Sequence, residues 1–341
     1  MKTFRASMVT AAALAGAAAF APSAGADEIA DFYRGKQITI VIGTAPGGGY
    51  GMVSQMAQRH VMKHVPGQPT LVLQFMPGGG GQKAHDYLYN VAGRDGYTIG
   101  MPSDGVALAQ RLSKVKYDAR QFNALARFEK SPDVFVVMSR TGVTTIEQAK
   151  KKELAIAATA KSSVSYMNAM LAKEILGFPM KIVLGYRGGA PARMAIERGE
   201  VDGYVWVWPT LVNAKPEWFR DGTATVLAQV GLERLPELSN VPTMQELATA
   251  PEDKALLEFM ASKVEIGRHH STPPGFPKAQ LAALREAYMK TMKDPEFMAE
   301  AKKRKMNLAP LDGAALQQVV NNAINAPDAI VARMKKVIGY K

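Results

Sequence analysis

Two runs of glycine, residues 47–49 and 78–81, are the positions in this chain where residue type and spacing best suit ligand chemistry. Each run follows an apolar, β-branched segment and precedes a helix-like pattern, as in ITIVIGTAPGGGYGMVSQMAQRH (38–60) and LVLQFMPGGGGQKAHDYLY (71–89). Glycine lets the backbone approach a ligand without interference from a Cβ atom, and the first turn of a helix offers unpaired N–H groups. The helix dipole adds about half a positive charge there. The two runs therefore predict a site for an anion such as a phosphate or a carboxylate.

Nucleotide binding is disfavoured at both runs. The dinucleotide fingerprint G-x-G-x-x-G needs a third glycine where Met52 stands, and the second strand ends in Gln74-Phe75-Met76 without the acidic residue that would bind the ribose. A phosphate loop needs Gly-Lys-Ser/Thr, which neither run contains. A simpler alternative is a tight turn between strand and helix, but single glycines would satisfy that role. We therefore expect a compact anion, such as a carboxylate.

The remaining chemistry-bearing residues do not form a recognisable catalytic or metal-binding pattern. His60 and His64 have the i, i+4 spacing of a metal pair, but no Glu-His partner follows and the chain has no cysteine, so a solvated pair is favoured. His269 and His270 precede two prolines in a polar segment and are predicted to lie in a loop. No G-x-S-x-G elbow occurs, and the carboxylates stand singly. We expect no enzyme activity, no cofactor and no metal.

The first 26 residues have the order of a secretory signal: Lys2 and Arg5, an apolar run over 8–20, and an A-x-A end before Asp27. The apolar run is too short to span a membrane. The absence of cysteine excludes lipid attachment at a processed N-terminus and also excludes disulfides. We expect export through this signal peptide to the periplasm as a soluble protein.

Composition suits a two-domain protein that binds small anions. Without the first 26 of its 341 residues the chain keeps about 315, enough for two domains. The formal net charge of +12 falls to +10 without Lys2 and Arg5. The basic residues are scattered, and the densest run, 302–305, lies on a predicted surface helix, so nucleic acid is not an expected partner.

Strand and helix patterns alternate along most of the chain, which predicts an α/β fold with parallel or mixed sheets covered by helices on both faces. The strand candidates are 37–43, 70–75, 97–101, 133–139, 154–159, 181–186, 201–207 and 223–230. The helix candidates are 51–64, 82–91, 146–152, 163–176, 190–198, 252–262, 278–293, 295–305, 313–324 and 327–337. Polar or proline-containing stretches at 127–132 and 229–235 predict two crossings between lobes, hence a hinge and a cleft. We assign 27–129 plus 231–341 to a first lobe and 130–230 to a second.

Several segments together resemble the periplasmic solute receptors of tripartite tricarboxylate transporters, the Bug family. They are FYRGKQITIVIGTAPGGGY, MPGGGGQKAHDYLYNVAGRDGYTIG, YRGGAPARMAIERGEVDG, SNVPTMQEL and TPPGFPKAQLAALREAYMKTMKDPEFMAEAKK. The resemblance covers essentially the whole mature chain. It implies a fold like that of class II periplasmic binding proteins, in which two α/β lobes close over an organic acid. It also implies that one ligand carboxylate lies between the two glycine turns, held largely by backbone amides and ordered water.

The chain departs from the family pattern at two positions near the expected ligand. Gly51 stands where family members usually carry an acidic residue just after the first glycine run. Lys161 is unusual in the second-lobe loop ATAKSSVSYMN, which in the family is usually rich in glycine and serine. Both departures lie where the ligand is expected, so they bear on the identity of the ligand more than on the resemblance to the family.

The expected ligand-binding residues follow from the glycine turns and from three second-lobe loops. In the first lobe they are Pro46, Gly47, Gly48, Gly49, Tyr50, Gly51, Pro77, Gly78, Gly79, Gly80 and Gly81. In the second lobe they are Ser162, Ser163, Tyr186, Arg187, Gly188 and Trp208. Tyr33 and Phe75 are further candidates for the first-lobe side.

Each second-lobe candidate has a plainer alternative. The two serines would either contact the ligand or only cap a helix, and Arg187 would either pair with a second carboxylate or be solvated. Strand alternation puts Tyr204, Trp206 and Trp208 on one face, where core packing is the default for the first two. Trp208, at the end of the strand, is the best candidate for a pocket wall that favours an aromatic acid.

Three functions are compatible with these residues. The leading one is a monomeric periplasmic binding protein that captures an organic carboxylate, including an aromatic or dicarboxylic one, and delivers it to the membrane permease subunits of a tripartite transporter. The second is a periplasmic sensor with the same binding physics and a signalling partner. The third is an enzyme that uses the glycine turns as an anion cradle. In the first two, we expect the ligand to dock on first-lobe amides before second-lobe contacts favour closure.

Overall fold

The computed structural model describes residues 24–340 and contains two mixed β-sheets. In chain order the strands are β1 (Gln37–Ile42), β2 (Thr70–Phe75), β3 (Thr98–Met101), β4 (Asn123–Glu129), β5 (Asp133–Met138), β6 (Leu154–Ala157), β7 (Met180–Val183), β8 (Gly203–Val207), β9 (Ala224–Val230), β10 (Arg268–Thr272) and β11 (Leu308–Asp312). The first sheet has the order β11-β4-β10-β3-β1-β2, and the second has the order β7-β6-β8-β5-β9. Residues 1–23 of the predicted signal peptide lie outside the described range.

Helices cover both sheets, which confirms the predicted α/β fold class. They are α1 (Ala24–Tyr33), α2 (Gly49–His60), α3 (Gln82–Asn90), α4 (Val106–Leu112), α5 (Ile146–Ala149), α6 (Val164–Glu174), α7 (Gly189–Glu197), α8 (Trp208–Ala214), α9 (Pro216–Arg220), α10 (Met244–Leu247), α11 (Pro251–Ala261), α12 (Lys263–Ile266), α13 (Lys278–Thr291), α14 (Pro295–Lys303), α15 (Gly313–Ile324) and α16 (Asp328–Val337). Within the described range, no helix combines the length and the apolar character needed to cross a membrane.

Parallel pairing places the two glycine runs side by side. Strand β1 is parallel to β2 and to β3, and Ile42 at the end of β1 pairs with Phe75 at the end of β2. Because the carboxyl ends of parallel strands meet at one edge, the turns that follow these two strands are neighbours. In the second sheet β6 is parallel to β7 and β8, so the loops after these strands also share one edge.

The chain passes from the first sheet to the second between β4 and β5, over residues 130–132. The predicted division places residues 231–341 with the first lobe. Strands β10 and β11 do lie in the first sheet, whereas α10, α11 and α16 contribute to a core shared with second-sheet residues. Met260 and Met334, for example, lie in the same buried cluster as Phe135 and Ile156. The C-terminal helices therefore divide between the two sheets.

His269 and His270 were predicted to lie in a loop, and that prediction was wrong, because both belong to β10, Arg268–Thr272. All five of its residues are buried, because β10 is an inner strand paired antiparallel with both β3 and β4. Its polar side chains find partners inside the core: His270 Nδ1 lies 2.7 Å from the Tyr288 hydroxyl, and its Nε2 lies 3.2 Å from Ser54 Oγ. Burial lowers the pKa of His270 to about 3, so its ring is neutral at physiological pH.

The prediction that His60 and His64 are a solvated pair was also wrong, because α14 packs across this end of α2. His60 is buried, and its Nε2 lies 2.7 Å from Glu300 Oε2. His64 Nε2 lies 2.9 Å from Asp294 Oδ2, and Asp294 also caps the N-terminus of α14. Both histidines therefore attach one helix to another.

Glu300 is expected to make the stability of this helix pair dependent on pH. Burial alone would raise its pKa, but hydrogen bonds from three basic neighbours, Arg59, His60 and Arg304, lower the pKa to about 2. Because the folded-state pKa is below the unfolded one, the stabilisation is complete above about pH 4.5 and is lost as the pH falls through about 2. We expect Glu300→Gln to cost about 1–3 kcal/mol of unfolding free energy at pH 7 and progressively less below pH 4.

Urea unfolding of the two proteins across this pH range measures that difference. Glu296→Gln is the matched control, because Glu296 is an exposed carboxylate on the same helix that bonds only to Lys63, at 2.7 Å. It should change stability by less than about 1 kcal/mol. An equal loss for both variants, or a loss for Glu300→Gln that does not shrink in acid, would contradict the expectation.

Candidate functional site

A cavity of about 330 Å³ lies between the carboxyl-end loops of the two sheets. First-sheet loops contribute the residues that follow β1, β2 and β3, and second-sheet loops contribute those that follow β6, β7 and β8. The residues with hydrogen-bonding or aromatic side chains are Thr44, Tyr50, His85, Ser103, Asp104, Asp133, Thr159, Ser162, Ser163, Ser165, Tyr186, Arg187, Arg193, Tyr204, Trp206, Thr210, Lys263 and Arg268. The cavity therefore combines apolar lining surface with many hydrogen-bonding side chains, and loops of both lobes enclose it.

The first glycine turn presents free main-chain donors to this cavity. Helix α2 begins at Gly49, directly after the extended Gly48. The amide nitrogens of Gly49, Tyr50 and Gly51 donate to no other group among residues 24–340, whereas the amide of Met52 starts the helical pattern by donating to the Gly48 carbonyl. A buried N–H group without a partner is costly, so donors at this position favour an anionic ligand.

The second glycine turn follows a backbone path open only to glycine. Residues Gly78, Gly79, Gly80 and Gly81 have φ values of 146°, 57°, 67° and 99°, and four successive positive values would strain any other residue. All four residues line the cavity. The run is thus more than a tight turn: it curls the main chain around one wall of the cavity, in front of α3.

Loops of the second lobe touch the two glycine turns directly. The Ser162 hydroxyl donates to the Gly79 carbonyl at 2.9 Å, and the Ala45 amide donates to the Arg187 carbonyl at 3.0 Å. Ser163 accepts from the Tyr166 amide and caps α6. Because these hydrogen bonds connect loops of the two lobes, the cleft between the lobes is closed in this structure.

Of the predicted site residues, Gly48, Gly49, Tyr50, Gly78–Gly81, Ser162, Ser163, Tyr186, Arg187 and Gly188 line the cavity. Pro46, Gly47, Gly51, Pro77 and Trp208 do not. Gly47 instead lines a separate surface depression, and Tyr33 is fully buried in the core of the first sheet. The ring of Phe75 lies beside Gly51, where an added Cβ would approach it to 3.2 Å.

The aromatic wall is formed by Trp206 rather than by Trp208. Both side chains are buried on the same side of β8, as strand alternation predicts, but β8 ends at Val207 and Trp208 begins α8. The Trp208 indole Nε1 donates to Glu237 at 3.1 Å, and its ring packs against Phe219. Trp206, with Tyr204 at a ring distance of 4.7 Å, faces the cavity. The expectation that Trp208 forms the wall is therefore corrected.

Ligand binding should be visible through Trp206 alone. The chain has three tryptophans, and of these only Trp206 lines the cavity, whereas Trp208 and Trp218 lie in the surrounding core. We expect Trp206→Phe to abolish the change in tryptophan emission caused by a bound acid, and Trp208→Phe and Trp218→Phe to retain it. Fluorescence titration of the three variants measures this. A signal that survives in Trp206→Phe and disappears in Trp208→Phe would contradict the assignment.

A buried cluster of charges lies at the base of the cavity. The fully buried Lys263 Nζ lies 2.6 Å from Asp133 Oδ2 and 3.2 Å from Asp104 Oδ2, and it donates to the Ser131 carbonyl at 2.8 Å. Asp104 also accepts hydrogen bonds from the hydroxyls of Ser131, at 2.5 Å, and Tyr50, at 2.9 Å. The cluster joins the loop after β3, the start of β5 and α12, and so links the two sheets beside their crossing.

The surroundings of these groups set their ionisation. Burial alone would lower the pKa of Lys263, but Asp104 and Asp133 raise it above its usual range, so the ammonium stays charged. Burial opposes ionisation of Asp104, but Lys263 and the hydroxyl donors hold its pKa below the usual value. Burial raises the pKa of Asp133 despite its contact with Lys263. Of the two aspartates, Asp104 is the one whose surroundings favour the ionised form.

Several buried polar atoms in the cavity wall have no hydrogen-bond partner among the described residues. They are Thr44 Oγ1, His85 Nδ1, Arg193 Nε, Thr210 Oγ1 and Arg268 Nε. Two are guanidinium donors and two are hydroxyls, which donate readily to an anion. Buried groups of this kind are usually hydrogen-bonded in folded proteins. The donor set fits a negatively charged ligand.

Sequence reasoning missed five charged side chains that line the cavity, Asp104, Asp133, Lys263, Arg193 and Arg268. They come from five separate segments, and none belongs to a motif with a recognisable spacing. One signal was available: a strand that begins with Arg268 and continues through two histidines carries polar residues that need buried partners.

One group of side chains has ligand atoms close enough together to suggest a metal site. Atoms of His60, Asp294 and Glu296 lie within 4.8 Å of one another. The Lys63 ammonium, however, already lies 2.9 Å from Asp294 and 2.7 Å from Glu296. Because this ammonium contacts both carboxylates and His64 also contacts Asp294, the group is an ion-pair network between side chains.

Comparison with known proteins finds matches that cover most of the chain. A family model described as "Tripartite tricarboxylate transporter family receptor" matches residues 53–335. No curated protein matches the chain.

Solved structures share the architecture at low sequence identity. The periplasmic binding protein BugD is 21% identical with a TM-score of 0.74, covering 89% of this chain and 98% of that chain. An R. palustris protein with adipate is 22% identical with a TM-score of 0.68, covering 89% and 97%. MatC from Rhodopseudomonas palustris, with bound malate, is 20% identical with a TM-score of 0.69, covering 89% and 99%. These likenesses confirm the predicted periplasmic-binding-protein-like fold.

Proposed function

The chain belongs to the tripartite tricarboxylate transporter receptor family, and from this premise we propose that it is a periplasmic solute-binding protein for an organic carboxylate. It captures the acid in the cavity between its lobes and delivers it to the membrane permease subunits of a tripartite transporter. Adipate and malate occupy two structural relatives, which supports an acid of four to six carbons as the first ligand to try.

The observation that carries this proposal is the convergence of unpaired donors on one cavity. The free amides at the start of α2 and the left-handed glycine run before α3 share the cavity with two arginines whose Nε atoms are unpartnered. Donors fixed in place before binding stabilise a carboxylate without reorganisation. An acid with an apolar middle would in addition cover the face of Trp206.

Closure in this proposal follows ligand docking. The acid first binds the main-chain amides of the first lobe (residues 27–129 and 231–341). The second lobe (residues 130–230) then closes over it. Contacts such as the hydrogen bond from the Ser162 hydroxyl to the Gly79 carbonyl stabilise the closed form. A ligand favours closure only by its additional contacts in the closed form, and here the second-lobe loops provide them.

Thermal unfolding with a panel of acids tests the proposal. Adipate, malate, citrate, benzoate and phthalate at millimolar concentration should include at least one that raises the melting temperature by several degrees, since a ligand that binds only the folded state stabilises it. The bound acid should be recovered unchanged, which distinguishes a receptor from an enzyme. No stabilisation by any acid, or conversion of the acid, would refute the proposal.

A sensor role uses the same cavity and differs only in the partner. Deletion of the protein should abolish uptake of the acid that binds best if the partner is a permease. Unimpaired uptake together with a lost transcriptional response would favour the sensor.

A further inference from the structure

We propose that Arg268 binds the carboxylate of the ligand through a side-chain salt bridge at the start of α2. Recognition of the acid in this chain would then depend on a guanidinium as well as on main-chain amides. The inference deepens the proposed function and rests on it, because it names the side chain that contacts the head group.

The position of Arg268 places its guanidinium at the predicted anion site. Arg268 is the first residue of β10, an inner strand of the first sheet, and its side chain reaches the cavity although the residue is only 2% exposed. A Cβ built on Gly49 would collide with the guanidinium and with Thr210 Oγ1. The guanidinium, the Thr210 hydroxyl and the first turn of α2 therefore meet at one point.

Two neighbours, Glu129 and Tyr50, hold the guanidinium in a fixed orientation. Its Nη1 donates to Glu129 Oε1 at 2.5 Å, and Glu129 is fully buried. Its Cζ atom lies 5.4 Å from the ring centre of Tyr50, as in a cation–π contact. The Tyr50 hydroxyl is in turn bonded to Asp104 at 2.9 Å, which fixes the ring. Arg268 is thus oriented before any ligand arrives.

The pairing with Glu129 uses one corner of the guanidinium and leaves one edge free. Nε is buried without a partner, and Nη2 makes no hydrogen bond to any residue in the range 24–340. The Nε–Nη2 edge is a fork of two parallel N–H donors, which matches the two oxygens of a carboxylate. A purely structural ion pair would leave no such unsatisfied edge in the wall of a ligand cavity.

Arg268 belongs to the buried group of charged residues beside the cavity. Glu129 pairs with it directly, and Asp104 and Asp133 lie near enough for its charge to favour their ionised forms. Lys263 is engaged by the two aspartates, so Arg268 is the cation of this cluster with donors still available. Arg187 and Arg193 also line the cavity, but from the second-lobe side.

Calorimetric titration with adipate, of the wild type and of Arg268→Lys and Arg268→Gln, tests the inference. We expect Arg268→Lys to bind about 10-fold more weakly, since an ammonium keeps the charge but cannot form the fork. Arg268→Gln should lose about 100-fold. Arg59→Gln, which removes a surface guanidinium paired with Glu300, is the matched control and should bind as the wild type does.

A second readout separates ligand contact from a merely structural role. The wild type should prefer adipate over adipamide strongly, and Arg268→Gln should lose most of this preference, because the preference arises from the charged fork. Thermal unfolding confirms that each variant is folded, and Arg268→Lys keeps the Glu129 pairing if the glutamine variant fails to fold.

The outcomes for the two proposals are distinguishable. If the wild type binds adipate and both Arg268 variants match it within about threefold, with the same preference over adipamide, the inference is overturned and the receptor function stands. If the wild type binds none of the acids in the panel above, the receptor function itself fails and the inference fails with it.

Discussion

Gly49→Asp is expected to abolish binding of organic acids, because the Arg268 guanidinium and the Thr210 hydroxyl must move to admit any side chain there. A side chain at residue 49 would occupy the point where the Arg268 guanidinium, Thr210 Oγ1 and the start of α2 meet. An aspartate there supplies a carboxylate of its own and is stabilised by the helix dipole, so it would take the place of the ligand head group. We expect a loss of affinity of at least about 100-fold.

Gly48→Ala is the matched control for this substitution. Gly48 has φ −96° and ψ 175°, which alanine adopts freely, and no atom lies within 4 Å of a Cβ added there. The alanine variant should bind within a fewfold of the wild type, and both variants should unfold cooperatively. Undiminished binding by Gly49→Asp in calorimetric titration would show that the head group lies elsewhere.

Lys263→Met is expected to cause the largest loss of stability of any single substitution in the charge cluster. The side chain is fully buried between Asp104 and Asp133, and its removal leaves two carboxylates without their cation. Removing one partner of a buried ion pair typically costs about 3–5 kcal/mol. Urea unfolding at pH 7 measures the change in unfolding free energy.

Two further variants show whether the cause is the unpaired charge. Adding Asp133→Asn and Asp104→Asn to Lys263→Met should recover part of the loss, because the uncompensated carboxylates are then gone. Lys130→Met, which removes a half-exposed lysine paired with Glu265, should cost less than about 1 kcal/mol. A loss of that small size for Lys263→Met would mean that the cluster contributes little to folding.

Strands that consist of nearly continuous apolar residues were predictable, including β5, which starts with the charged Asp133. Strand β2 occupies the predicted range 70–75, and β1, β3, β5 and β9 each differ from prediction by one residue. Strands β4, β10 and β11 were missed. In β4 and β10 the charged residues Glu129 and Arg268 are buried because they pair with each other across the sheet, a compensation that no local pattern reveals.

The candidate site was predictable where it depends on the backbone. Runs of glycine between a strand and a helix indicate close approach of the backbone to a ligand, and parallel pairing of neighbouring strands brings the two runs together. The side chains could not be predicted, because their places depend on tertiary packing. Alternation along β8 correctly put Trp206 and Trp208 on one side, yet which of them reaches the cavity depends on the strand ending at Val207.

The position of the ligand carboxylate is the central prediction. A crystal structure of the protein with the acid that stabilises it most would show this position directly. We predict carboxylate oxygens within about 3.2 Å of the main-chain nitrogens of Gly49 and Tyr50 and in contact with the turn at 78–81. An acid bound outside this cavity, or one that turns its hydrocarbon part toward these amides, would contradict the account.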